Sequence, residues 1–257
     1  VKLEDRRQQI VDLLMVQGSV TLEDLASQFG VSKMTIHRDL DDLEEAGLLR
    51  KVRGGASIET SSQFESDYRY RERRGAEEKK RIGRAAIEML EPGMTVLVND
   101  GSTAGLLADM LPDKRPITVI TNNHAVIQTL IGVTGVTLIA LGGAYSKKYN
   151  GFYGIITEEA LARLRADVAF ISSPAIQGTT AFHQDHEFVK IKRLMIAAGT
   201  KRYLLVDHLK FGRTALHEIA DLRDFDAVIT SQALPKDMAV PLRDADVNLI
   251  VAETDPQ

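Results

Sequence analysis

The segment Asp100-Gly101-Ser102-Thr103 places a carboxylate, a glycine and two hydroxyls directly after the apolar run Thr95–Asn99. A turn of this kind that opens a helix offers free backbone N–H groups and a partial positive charge, which suits an anion such as a phosphate. Small polar turns follow other apolar runs as well: Thr121-Asn122-Asn123, Gly142-Gly143, Ser172-Ser173 and Asp207-His208. Cations able to neutralise a phosphate stand at Lys147, Lys148, Lys192, Arg193 and Lys210, and spacing does not choose among them. Asp100, Asp207 and Lys192 are also groups that could exchange protons with a substrate. His183-Gln184-Asp185-His186-Glu187 brings two imidazoles and two carboxylates together, a pattern explained by a metal site or, more simply, by a polar loop. A catalytic metal needs about three correctly placed ligands, so no metal and no cofactor are expected. Nucleotide-binding glycine loops and a Gly-x-Ser-x-Gly nucleophile turn are absent from the sequence.

A different chemistry is written near the start. Lys33, Thr35, His37 and Arg38 follow Ser32, and Asp39, Asp41, Asp42, Glu44 and Glu45 come behind them. Cations and hydroxyls at the N-terminal end of a helix can reach base edges in a DNA groove, while an acidic second half is repelled by phosphates. Shortly after, Arg50, Lys51 and Arg53 run into Gly54-Gly55, a cationic hairpin of the kind that lies on a phosphate run. The net charge of −4 gives no overall attraction to nucleic acid, so any such contact is the work of this local patch.

The elements that must position these groups fall into two halves. Residues 1–56 read as three short helices and a hairpin, with Ile10, Leu13 and Leu14 on one face of the first helix and Gly18 ending it. Thr21 starts the second, whose stripe is Leu22, Leu25, Ala26 and Phe29; after Gly30-Val31, Ser32 caps the third, which buries Ile36, Leu40 and Leu43 and ends at Gly47. Two helices joined by a tight glycine turn form a helix-turn-helix, and the hairpin adds a wing. Residues 57–75 read as a polar linker, followed by a helix at about Ala76 to Leu90. The cation-rich stretch Arg69 to Arg84 reads as a solvated helix face, with contact to DNA phosphate as the alternative. From 76 to 257, helices alternate with apolar runs at Thr95–Asn99, Ile117–Thr121, Val136–Leu141, Val168–Ser172, Tyr203–Val206, Ala227–Thr230 and Val247–Val251. This alternation predicts an α/β domain with a mainly parallel sheet, whose ligand sits at the carboxyl ends of the strands.

With 257 residues, 44% hydrophobic and 26% charged, the chain has the composition of a globular protein. The absence of cysteine excludes disulfides, thiolate metal sites and cysteine catalysis. Pro116 to Ser146 carries no Asp, Glu, Lys or Arg, but its glycines and asparagines divide it into short pieces of a buried core rather than a membrane span. No secretory leader pattern is read, and a cytoplasmic protein without membrane contact is expected.

Val31 to Leu40, Leu43-Glu44, Gly47 to Arg50 and Gly54-Gly55-Ala56 resemble the DNA-binding segment of DeoR-type transcription regulators. Asp100 to Thr103, Thr121-Asn122, Gly142-Gly143, Asp167 to Ile171, Lys192 to Ile196, and Asp207 with Lys210-Phe211-Gly212 resemble the sensor domain of the same family. The resemblance implies a repressor of bacterial carbohydrate catabolism acting as a homo-oligomer on operator DNA. It also implies a sensor domain folded like sugar-phosphate isomerases, with a sugar or sugar-phosphate effector. It departs at His37, where the family usually has an arginine, and in the loop Ser173 to Gln177. An isomerase-like enzyme carrying a DNA-binding head is the alternative. The expected DNA contacts are Ser32, Lys33, Thr35, His37, Arg38, Arg50, Lys51 and Arg53. The expected effector contacts are Asp100, Gly101, Ser102, Thr103, Thr121, Asn122, Gly142, Gly143, Lys192, Asp207 and Lys210.

Overall fold

The structure, a computed structural model, describes residues 3–46, 48–57 and 68–252. It divides into two compact units, Val1–Arg74 and Gly75–Gln257.

The first unit opens with α1 (Leu3–Gln17), β1 (Ser19–Thr21), α2 (Leu22–Phe29) and α3 (Lys33–Glu45), followed by β2 (Arg50–Val52) and β3 (Gly55–Ser57). Thr21 accepts a hydrogen bond from the backbone N–H of Asp24 and so caps α2. Gly30 ends that helix with φ +63°, a left-handed turn in which a β-carbon would be strained. Ser32 then caps α3 by accepting from the Thr35 N–H. The helices close around Ile10, Leu14, Leu25, Ile36 and Leu40, all buried. The three strands pair antiparallel in the order β1-β3-β2, so the expected hairpin is the outer part of a small sheet. Gly47, the expected end of the third helix, lies outside the described residues, and α3 stops at Glu45 with Ala46 as its cap.

One acid of α3 does not face solvent as its place among the acidic residues suggests. Asp39 is buried, and its carboxylate accepts from Arg6 at 2.6 Å and from Arg7 at 3.1 Å, which ties α3 to α1. Arg7 also bonds Asp42. The expected linker 57–75 lies partly outside the described residues, but its last part is helical, α4 (Tyr68–Arg73).

The second unit runs through α5 (Ala76–Ile87), β4 (Thr95–Val98), α6 (Ser102–Gly105), β5 (Ile117–Thr121), α7 (His124–Leu130) and β6 (Val136–Ala140). Next come β7 (Ala144–Ser146), β8 (Gly151–Tyr153), α8 (Ile155–Ala162), β9 (Ala166–Ser172), β10 (Ala175–Gln177) and β11 (Thr180–His183). The unit ends with α9 (His186–Ala198), β12 (Gly199–Val206), β13 (His217–Asp221), β14 (Ala227–Thr230), α10 (Lys236–Asp244) and β15 (Leu249–Val251). Seven strands form one parallel sheet in the order β15-β14-β12-β9-β4-β5-β6. These are the seven apolar runs of the sequence, shifted at their ends by a few residues. Alternate residues feed two cores. Val96, Val98, Val168 and Phe170 pack on the side of α5, whereas Leu97, Ala169, Ile171 and Leu204 pack on the side of α9. Burial on both faces is what makes these strands read as continuous apolar runs.

The antiparallel pairs β7-β8 and β10-β11-β13 are additions that the strand pattern did not reveal. The uncharged stretch from Pro116 to Ser146 folds as β5, α7, β6 and β7, and among the described residues no helix is long and apolar enough to cross a membrane.

Three outcomes follow. Replacing Asp39 with Ala leaves two arginines without their buried partner and is expected to cost the first unit about 3–5 kcal/mol, read by urea unfolding. Asp41→Ala, at an exposed carboxylate, should change stability by no more than about 0.5 kcal/mol. In the second unit, Arg223 hydrogen-bonds Asp221 and lowers its carboxyl from 3.8 to about 2. A depressed carboxylate stabilises the fold above its ordinary value and loses that contribution as pH falls through the folded value. The urea midpoints of wild type and Asp221→Asn should therefore converge as pH is lowered from about 4 to about 2.

Candidate DNA-reading face and strand-end pocket

On α3 the expected DNA-reading residues divide by what already holds them. Lys33 is paired with Glu23 of α2, and the Thr35 hydroxyl lies 2.9 Å from that of Ser32, which is occupied in capping. His37 and Arg38 are exposed and have no hydrogen-bond or ion-pair partner among the described residues. Arg38 lies nearly opposite the face that buries Ile36 and Leu40, and His37 about 100° from it on the flank, both in the half of the helix that can enter a groove. In the wing, Lys51 pairs with Asp41, and its backbone N–H donates to Glu44 at 2.8 Å. Arg50 and Arg53 are exposed on β2 and on the turn after it. Asp41 and Glu44 at the back of α3 therefore position the wing.

In the second unit, the carboxyl ends of β9, β4 and β5 carry a dense buried polar group. Asp100 and Lys192 form an ion pair at 3.1 Å, with side-chain exposures of 1% and 2%. Lys192 reaches it from α9, where Phe188, Val189, Ile191 and Met195 share its buried face. Beside this pair, the ammonium of Lys79 donates to the Ser102 hydroxyl at 3.2 Å, and both residues are buried. Asn99 Oδ1 accepts from the Gly101 N–H at 3.4 Å and from the Ser172 hydroxyl at 3.3 Å. Asn123 Nδ2 donates to the carbonyls of Asn99 and Gly101. A β-carbon on Gly101 would overlap the Ser172 hydroxyl, so this turn admits only glycine. Asn99 Nδ2, Asn122 Oδ1 and Thr230 Oγ1 are buried without a hydrogen-bond partner. The two amide atoms lie in the polar cluster and are the groups a polar ligand would satisfy, whereas Thr230 ends β14, beyond β12.

The remaining expected residues lie further out or are already engaged. Thr103 is buried beside Ser102. The Thr121 hydroxyl donates to the Val98 carbonyl at 2.6 Å and is used within the sheet. Asn122 Nδ2 donates to the Phe152 carbonyl at 2.9 Å, which holds β8 across the strand ends. The Gly142 carbonyl accepts from Thr157 at 2.6 Å, and Gly143 sits tightly against Thr157 and Tyr153. Asp207 caps its own turn by accepting from the Leu209 N–H, and Lys210 is half-buried on that turn. From β12 to β6 these ends are spread over four strand spacings, roughly 19 Å at ~4.8 Å each.

Three expectations need correction. The helix after Gly101 is only Ser102–Gly105 and continues as a 3-10 turn, so it has little dipole, and the charge at this place is supplied by Lys79 and Lys192. Lys79 is not on a solvated face. It shares the buried stripe of α5 with Ile82, Gly83 and Ala86, and its i, i+3, i+4, i+7 spacing was the signal available in the sequence. Arg193 donates to the carbonyls of Ile219 and Glu218, away from the pocket.

His183 accepts from the Asp185 N–H and packs on Tyr149 and Phe188, while Asp185 caps α9. Among the described residues no group of three or more His, Asp or Glu side chains could hold a metal.

Comparison with known proteins bears on both units. Residues 6–62 match the DeoR-like helix-turn-helix domain, and residues 74–232 match the DeoR C terminal sensor domain. The chain is 30% identical to the glycerol-3-phosphate regulon repressor of Escherichia coli K12, over 97% of this chain and 99% of that protein. It is 31% identical to the L-fucose operon activator of Haemophilus influenzae, over 91% and 94% of the two chains. Among solved structures, ribose 5-phosphate isomerase A from Methanocaldococcus jannaschii overlaps 53% of this chain and 54% of its own at 15% identity and a TM-score of 0.39.

The role of the Asp100–Lys192 pair is open to a double-mutant test. Lys192→Met alone should destabilise the second unit by about 3–5 kcal/mol through the stranded carboxylate. Adding Asp100→Asn is expected to recover most of that loss, measured as the thermal midpoint. Equal destabilisation by the single and double variants would show that the two charges do not compensate each other.

Proposed function

The chain belongs to the DeoR family of transcriptional regulators, and we propose that it is a repressor of carbohydrate-utilisation genes that a sugar phosphate releases from operator DNA. The carrying observation is the division of labour between the two units: an exposed polar face on α3 in one, and a buried polar cluster of two ammoniums and one carboxylate in the other. In this reading the head comprises residues 1–56, residues 57–75 connect it, and residues 76–257 form the sensor.

His37 and Arg38 read base edges in the major groove, and Arg50 and Arg53 rest on phosphates. Lys33 and Lys51 join them by exchanging Glu23 and Asp41 for phosphate oxygens. Ser32 and Thr35 hold the first turn of the helix in shape. In the sensor, Lys192 and Lys79 neutralise the effector's phosphate next to Ser102 and Thr103. The unsatisfied amide atoms of Asn99 and Asn122 take sugar hydroxyls. Gly142, Gly143, Asp207 and Lys210 border the far ends of the effector. A single winged helix contacts too little DNA for operator-grade affinity, so two or more copies act together. Effector binding shifts the balance between two orientations of their heads, with a coupling of about 1–3 kcal/mol, or 5–150-fold in affinity. The enzyme alternative is not favoured, since proteins similar over nearly the whole chain are named as regulators.

Mobility shift on the DNA upstream of its own gene tests the head. Arg38→Ala is expected to lose about 1–3 kcal/mol of specific binding, with the sensor's thermal transition unchanged; wild-type binding by this variant would remove α3 from the reading. Thermal-shift screening of sugars and sugar phosphates tests the pocket. An effector at 100 times its Kd should add about 2.7 kcal/mol of stability. Stabilisation by unphosphorylated sugars alone would contradict the phosphate assignment.

A further inference from the structure

The seven-stranded sheet has two edges, and they are built differently. β15 is three residues long and is preceded by Arg243, Asp244, Asp246 and Asn248. A short strand beside charge is how proteins keep a sheet edge from pairing with another chain. β6 has none of these devices. Its five residues, Val136-Thr137-Leu138-Ile139-Ala140, keep an unbroken register with β5 and lie inside the stretch from Pro116 to Ser146 that has no charged side chain. Ile139 is 36% exposed, and Ile131, just before the strand, is 70% exposed.

The hydrogen bonds fix which backbone groups face outward. The Ile117 N–H donates to the Gly135 carbonyl, and the Leu141 N–H donates to the Thr121 carbonyl. Residues 135, 137, 139 and 141 therefore face β5, and Val136, Leu138 and Ala140 turn their N–H and C=O groups away from the sheet. The Val136 N–H is taken by the Val133 carbonyl, which leaves the Val136 carbonyl and both groups of Leu138 and Ala140 facing outward.

We propose that β6 is the edge through which two copies of this chain pair, antiparallel, about a two-fold axis at Leu138. In that register each Leu138 exchanges both of its backbone hydrogen bonds with its copy. Each Ala140 N–H donates to the Val136 carbonyl across the axis. The choice of a second copy rests on charge. Any charge on a strand that pairs with itself near a two-fold axis meets its own like, and a strand free of charge over its whole exposed length avoids that repulsion. The proposal also rests on the reading that operator binding needs more than one copy, and it names the surface that supplies the second.

The chain has no cysteine, so one introduced thiol reports on pairing without interference. Residues opposed in a hydrogen-bonded antiparallel pair have Cα atoms about 5.5 Å apart, within the disulfide range of roughly 4.4–6.8 Å. Under mild oxidation, Leu138→Cys is expected to give a reducible covalent dimer, and Val251→Cys at the other edge is not. A mixture of Thr137→Cys and Ile139→Cys should cross-link in the same register, which keeps the test intact if Leu138→Cys folds poorly. Light scattering on the wild type accompanies these. A dimer in solution that none of the β6 cysteines captures would overturn the β6 assignment and leave the need for two copies standing. A monomer at concentrations that saturate operator DNA would overturn both.

Discussion

The buried ion pair between Asp100 and Lys192 is the constraint around which the sensor is arranged. Two charges removed almost completely from water are tolerable only when each has the other and further polar partners. That requirement fixes three elements at once: the end of β4, the first turns of α9, and the Asn99-to-Ser102 turn that passes between them. The polar residues gathered there would be costly anywhere else in an apolar α/β core. They are concentrated at the carboxyl ends of neighbouring parallel strands. A second buried ammonium, Lys79, lies beside the pair and donates to the Ser102 hydroxyl.

The DNA-binding unit uses charge in the same economical way. Asp39 is the tie between α1 and α3, so the reading helix is held by a buried polar contact as well as by Ile36 and Leu40. Around it, Glu23 and Asp41 hold Lys33 and Lys51 in place. The cations that a simple count would assign to DNA are thus of two kinds: those already paired and those presented. Arg38, exposed next to His37, belongs to the second.

Much of this was legible in the sequence. The caps Thr21 and Ser32 and the turn at Gly30 stand where helix boundary chemistry places them, because local hydrogen bonds decide those positions. The seven apolar runs became the seven parallel strands, because a sheet buried on both faces demands continuous hydrophobicity. The short antiparallel strands β7, β8, β10, β11 and β13 were not visible, since they are half-exposed and their pairing depends on distant partners. Lys79 was misplaced because a lysine in a cationic stretch reads as solvated until its helical phase with Ile82 and Ala86 is counted. Asp39 was misplaced for the converse reason. Its burial is dictated by Arg6 and Arg7, more than thirty residues away, and no local pattern announces that. The strand-end residues were found by position, but the sequence did not reveal that Thr121 and Asp207 are already occupied within the fold.

In the proposed function, the buried polar cluster of one unit governs the DNA affinity of the other. The most direct measurement is an equilibrium titration of the DNA upstream of the protein's own gene, with and without a stabilising sugar phosphate, for the wild type and for the doubly substituted Asp100→Asn, Lys192→Met protein. The sugar phosphate is expected to change the wild-type Kd by about 5–150-fold and to leave the double variant unmoved, with the two proteins binding equally in its absence. A ligand effect of the same size in both proteins would contradict it.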